Sequence, residues 1–85
     1  MQHLHYEFDL GSNNVVVVTL SAQANVRLMD GYNYRRFVSG QSASCYGGGA
    51  RVSPVRIPSP GPGHWDLVID LGGNSGRIKA SVNVM

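Results

Sequence analysis

His3 and His5 stand two positions apart, with Glu7 two further on. Successive side chains of an extended chain alternate sides, so all three project from one face, with the histidine Cα atoms about 6.6 to 6.8 Å apart. Two imidazoles and a carboxylate in that arrangement could converge on a metal ion. The four ligands of a structural zinc site are not supplied, because no cysteine or second histidine pair accompanies them. Solvated histidines on the wet face of a strand are the plainer reading. No metal site is therefore assigned, and His3 and His5 stand only as its weak candidates. A variant uses the amino terminus, where the amino group, two amides and the His3 imidazole of Met1, Gln2 and His3 could form a square-planar nitrogen set for Cu(II) or Ni(II).

A second group mixes planar rings with guanidinium ions: Asp30, Tyr32, Tyr34, Arg35, Arg36 and, further on, Tyr46. Such side chains in loops can stack on a sugar or base and bridge to phosphate or carboxylate. They form the preferred ligand-binding candidate. The ordinary alternative is that Tyr34 and Phe37 cap a core while the arginines are surface charge. Arg27 and Asp30 could pair with each other, a surface contact worth about 0 to 1 kcal/mol.

Catalytic chemistry finds little support. Gly47, Gly48 and Gly49 are followed by neither the Lys-Ser or Lys-Thr of a phosphate loop nor a helix, and fit a bulge or tight turn. Asp66 and Asp70 share a strand face but lie about 13 Å apart at Cα, too far for paired acid-base work. Cys45 has no motif partner and reads as buried and inert. No serine sits in a nucleophile elbow. The chain is read as a non-enzyme that calls for no cofactor.

The elements that must position these residues are short strands. Leu4, Tyr6, Phe8 and Leu10 alternate with His5, Glu7 and Asp9, the period of a half-buried strand. Gly11 to Asn14 end it, with a hairpin expected there. Val15 to Leu20 is apolar on both faces and reads as a central strand. Ala24 to Asp30 follows, with Val26 and Leu28 inward and Asn25, Arg27 and Met29 outward. Tyr32 to Val38 is expected to be a loop or one helical turn, being too short for an independent helix. A short strand around Cys45 and Tyr46 comes next. Val55 to Ile57, bracketed by Pro54 and Pro58, reads as an edge strand because proline cannot donate to a central ladder. Trp65, Leu67, Ile69 and Leu71 alternate with His64, Asp66, Val68 and Asp70, which assigns Trp65 to the core. After Gly72 to Gly76, Ile78, Ala80, Val82 and Val84 alternate with Arg77, Lys79, Ser81 and Asn83, predicting a carboxy-terminal hairpin.

The pattern defines an all-β chain: a single small β-sandwich or open barrel of about six to eight mostly antiparallel strands, with residues 1–85 forming one domain. Eighty-five residues suffice for one core and not two. A formal charge of +2 permits an anionic partner without demanding nucleic acid or membrane. One cysteine excludes an internal disulfide and suits a reducing compartment. No secretory leader or membrane-spanning run is present in the sequence, so the cytoplasm is the expected location.

Several blocks carry a likeness: Gln23-Ala24-Asn25-Val26-Arg27-Leu28-Met29-Asp30, Tyr32-Asn33-Tyr34, Ser53-Pro54-Val55-Arg56-Ile57, and Gly63-His64-Trp65 running into Val68-Ile69-Asp70-Leu71-Gly72-Gly73. Together they resemble a bacterial family catalogued as domain of unknown function 1883, over nearly the whole chain. The resemblance implies a β fold and no particular activity. Members of that family are sometimes joined to a signalling domain of the Toll/interleukin-1-receptor type, which implies an accessory or sensing role. Gly63, His64 and Trp65 are also similar to the opening of a late strand in sandwich modules that accompany secreted bacterial peptidases, a likeness of architecture that transfers no function.

These readings converge on a non-catalytic binding or accessory module, for sensing or interaction. Its loops, led by Tyr32 to Arg36, would recognise a small polar or anionic ligand or a protein partner. The alternative is a structural domain that assembles into a homo-oligomer through an open sheet edge. Single-stranded nucleic acid binding is the weaker alternative, and nucleic acid and membrane are both disfavoured as partners.

Overall fold

The computed structural model describes residues 3–51, 53–72 and 76–85. Alternation becomes strand wherever it was strongest. The elements are β1 (Leu4–Leu10), β2 (Val15–Leu20), β3 (Ala24–Met29), α1 (Gly31–Val38), β4 (Tyr46–Ala50), β5 (Val55–Pro58), β6 (Gly63–Asp70) and β7 (Ala80–Val84). They form a four-stranded sheet in the order β1-β6-β3-β4 and a three-stranded sheet in the order β5-β2-β7. All pairings are antiparallel. The sheets face each other as an open sandwich rather than closing into a barrel.

Between them lies the core. Val16, Val18, Val26, Leu28, Leu67 and Ile69 are fully buried, with Leu10, Ala24 and Ile57 nearly so, and Tyr6, Phe8 and Trp65 pack against this cluster. The residue pattern explains the roles of the strands. β2 carries valines on both faces and is central, whereas β5, with Pro58 and Arg56, is an edge.

Three expectations are corrected. First, neither hairpin forms: β1 and β2 lie in different sheets, as do β6 and β7. The residues that end a strand also suit an arch from one sheet to the other, and the period of two does not distinguish them. The turn read across Gly72 to Gly76 lies partly outside the described residues. Second, Gly31 to Val38 is a true helix of eight residues. The Asp30 carboxylate caps it by accepting from the Asn33 N–H at 2.8 Å and from the Asn33 side chain at 3.0 Å. Packing against β6 supplies the stabilisation that its length alone cannot. Third, Met29 is not exposed: it and Val68 are buried on the outer face of the four-stranded sheet, the side on which α1 lies. Among the described residues no helix is long and apolar enough to cross a membrane.

Candidate functional site

The register of β1 on β6 places Glu7 opposite Asp66, Asp9 opposite His64 and His5 opposite Val68. These six residues occupy the outward phase of both strands, so their five polar side chains meet diagonally or directly across the ladder. His5 Nε2 lies 2.7 Å from Asp66 Oδ1. His64 is held between two carboxylates, Nε2 at 3.2 Å from Glu7 Oε1 and Nδ1 at 3.3 Å from Asp9 Oδ1. Its Nε2 is also 3.9 Å from Asp66 Oδ1. The hydrogen bond to Asp9 is the main force raising the His64 pKa above its ordinary value; desolvation opposes it, and Asp66 and then Glu7 add to the rise. One ligand atom each from His5, Glu7 and Asp66 lie within 4.8 Å of one another, which makes them the residues able to hold a metal.

Helix α1 closes over this cluster from one side. The Tyr34 ring stacks on the His5 imidazole, with centroids 4.0 Å apart. Its hydroxyl is hydrogen-bonded to His3 Nε2 at 3.2 Å. Desolvation, with the charges of Asp66 and Glu7, pushes that hydroxyl above the usual tyrosine pKa. Phe37 packs edge-on against His3, and the Arg27 guanidinium sits 5.9 Å above the Phe37 ring. Arg27 does not pair with Asp30. It donates to Asp70 at 2.7 Å, because both are outward residues of adjacent strands and Asp30 is engaged at the helix cap. Asp66 and Asp70, too far apart to act as a catalytic pair, are thus both engaged by other side chains. Asp66 takes His5, while Asp70 accepts from Arg27, from Asn25 and from the Gly72 N–H.

The aromatic and arginine candidates divide between two places. Tyr32, Tyr34, Arg35 and Arg36 ride on α1 and Asp30 caps it. Tyr34 is turned into the histidine cluster, whereas Tyr32 is exposed with the Arg36 guanidinium 5.8 Å from its ring centre. Arg36 is anchored in turn by donating from Nε to the Ser42 carbonyl at 2.6 Å. Tyr46 stands apart. At the start of β4 it pairs with Leu28 of β3 and meets Trp65 edge-to-face at 6.0 Å, at the margin of the inter-sheet core. Trp65 itself packs on the core as expected and donates to the Gly61 carbonyl. Cys45 is exposed rather than buried, since it lies in the connection before β4 and outside the alternation.

Of the metal candidates, His3 and His5 share a face as the spacing demanded, with ring centroids 6.5 Å apart. Met1 and Gln2 of the amino-terminal nitrogen set lie outside the described residues. Reading the sequence alone missed His64, Asp66 and Asp9 as neighbours of His5 and Glu7; the available signal was that all five sit in the outward phase of two strongly alternating segments. A shallow groove at the Ala24 end of β3, with Gln23, Asn25, Arg51 and Gly72 on its walls, contains none of the candidates.

Two facing antiparallel sheets with a helix laid over one outer face define a small β-sandwich domain with a polar cluster beneath the helix. The chain belongs to the family described as domain of unknown function DUF1883, which matches it over residues 1–85. No curated protein and no solved structure matches the chain.

Proposed function

We propose that the chain is a non-catalytic binding module that uses the exposed ledge of α1, formed by Tyr32, Arg35 and Arg36, to hold an acidic segment of a protein partner. The observation that carries this reading is the fixed exposure of Tyr32. The residue is 62% exposed, yet its ring is braced by Arg36, which the Ser42 carbonyl holds in place. A large ring and a guanidinium ordered before contact lose little entropy on binding, and tyrosine and arginine are the usual energetic anchors of interfaces. Commitment of Asp66 and Asp70 to internal partners supports a role without catalysis. The bland account of the arginines is that Arg35 and Arg36 sit in the last turn and complement the helix dipole. That account does not explain an exposed tyrosine beside them.

Titration with an oligoglutamate peptide, followed by amide chemical shifts, tests the reading. Shifts should cluster at residues 32–36 and vanish in Y32A and R36A, which keep the fold. Shifts elsewhere, or none, overturn it. A stronger and steeply salt-dependent response to a single-stranded oligonucleotide would replace the peptide with nucleic acid.

A second reading rests on β7. Among the described residues this outer strand has no partner on the side away from β2, and it carries neither proline nor charge between Ala80 and Val84, whereas β5 is guarded by Pro58 and Arg56. Self-pairing there would give a homo-oligomer. Sedimentation over a wide concentration range decides it, and a strict monomer removes it.

A further inference from the structure

We infer that His5, Glu7, His64 and Asp66 form a binding site for a divalent transition metal of the zinc class, which clasps edge strand β1 to β6. The inference is independent of the α1 ledge and uses different residues.

The donor set fits such an ion. Four-coordinate zinc with bonds of about 2.0 to 2.2 Å places its ligand atoms roughly 3.3 to 3.6 Å from one another. Here the separations are 3.2 Å from His64 Nε2 to Glu7 Oε1 and 3.9 Å from His64 Nε2 to Asp66 Oδ1. His5 Nε2 to Asp66 Oδ1 is shorter, at 2.7 Å, the length of a hydrogen bond whose proton the metal would displace. His5, Glu7 and Asp66 each place a ligand atom within 4.8 Å of the other two, and His64 Nε2 already reaches the Glu7 and Asp66 oxygens, so rotation of the exposed His64 side chain is what completes the set as the fourth ligand. Two imidazole nitrogens with two carboxylates suit zinc, cobalt or nickel better than calcium, which takes six to eight oxygens.

Two further features act on the ligands. His64 Nδ1 faces Asp9, so a proton kept there leaves the Nε2 lone pair directed at the cluster, the carboxylate–histidine–metal relation of many sites. The Tyr34 ring, stacked on His5, fixes the plane of that imidazole. The charges point the same way. Glu7 and Asp66 are direct cross-strand partners, and like charges so placed repel. Asp66 is also 3% exposed, so a cation has more to gain there than at an open surface.

The test is titration of the untagged, chelator-treated chain with ZnCl2 and, for its spectrum, CoCl2. The expected result is one equivalent bound, an intense four-coordinate visible cobalt band, and new amide-exchange protection in residues 4–10. H64Q, a change at an exposed position that leaves the fold intact, and H5Q should abolish the band. D9N should weaken binding about 10- to 100-fold. H3Q, Y32A and R36A should leave it unchanged, which separates this site from both the amino terminus and the helix ledge. No saturable binding, a weak six-coordinate cobalt spectrum, or a band that survives H64Q overturns the assignment.

Discussion

The His5 imidazole lies almost parallel to the Tyr34 ring, 13° from coplanar and 4.0 Å between centroids, and so joins an edge strand to the only helix among the described residues. The contact sits at the meeting point of the His3 hydrogen bond, the Asp66 carboxylate and the Phe37 ring. It is the hinge on which α1 is fastened to the sheet.

Tyr34→Ala should therefore loosen α1 and cost about 1 to 3 kcal/mol, combining a lost aromatic pair with partly buried area. Tyr34→Phe keeps the stack and loses one hydrogen bond, at about 1 kcal/mol or less. Urea denaturation of the three proteins gives the order directly. Equal stability of all three would show that the stack holds nothing.

Asp30→Ala removes the helix cap and should cost about 1 kcal/mol, within the usual range of about 0.5 to 2. The loss should reach past the helix, because Asn33, which bonds Asp30, also accepts from the Ser44 N–H at 2.9 Å. Faster amide exchange across residues 31–38 and at Ser44 is the expected signature.

Arg27→Met leaves the Asp70 carboxylate, whose side chain is 0% exposed, without its cation. Stranding a buried charge costs about 3 to 5 kcal/mol, discounted here because the Arg27 side chain is 28% exposed, so a loss nearer 2 to 3 is expected. Adding Asp70→Asn to Arg27→Met should recover part of that loss. A double mutant as unstable as the single one contradicts the pairing.

Without metal, His64 should titrate above its ordinary value of 6.5, through Asp9 first and then Asp66 and Glu7, with His5 on the neighbouring strand facing the same carboxylates. A folded-state pKa above the unfolded one gives a stabilisation that is fully present below about pH 6.5 and lost as pH rises through the folded value. Proton NMR of the imidazole reads the shift, and D9N should lower it. An unshifted His64 in the wild-type chain would contradict its placement between Asp9 and Glu7.

Much of the scaffold was legible residue by residue. Leu4, Tyr6, Phe8 and Leu10 announce β1 with its observed limits, and the proline-flanked Val55 to Ile57 announces an edge. What local pattern does not carry is which strands become neighbours, since each of the partners of β1 and β2 lies in a distant segment. For the same reason the cluster of His5, Glu7, Asp9, His64 and Asp66 was out of reach: it exists only once β1 and β6 fix their register. The helix was missed because its stability is tertiary, coming from Tyr34 on His5 and from the side chains beneath it. Met29 and Val68, apolar residues in an outward phase, were the trace it left in the sequence. Gly47 left another. Its φ of +104° and the Val26 carbonyl oxygen, with which any Cβ there would collide, explain a glycine inside a strand.

Every connection except that between β3 and β4 carries the chain from one sheet to the other. A ribosome delivering this polypeptide releases β1 long before β6, the strand on which β1 must zip, and no early hairpin gives the nascent segment anything to hold. Productive folding then waits on closure of a long loop and belongs to the slow regime of roughly milliseconds to seconds typical of non-local β topologies. A fragment ending before Gly63 would lack the strand that joins β1 to β3, and would leave both with open edges.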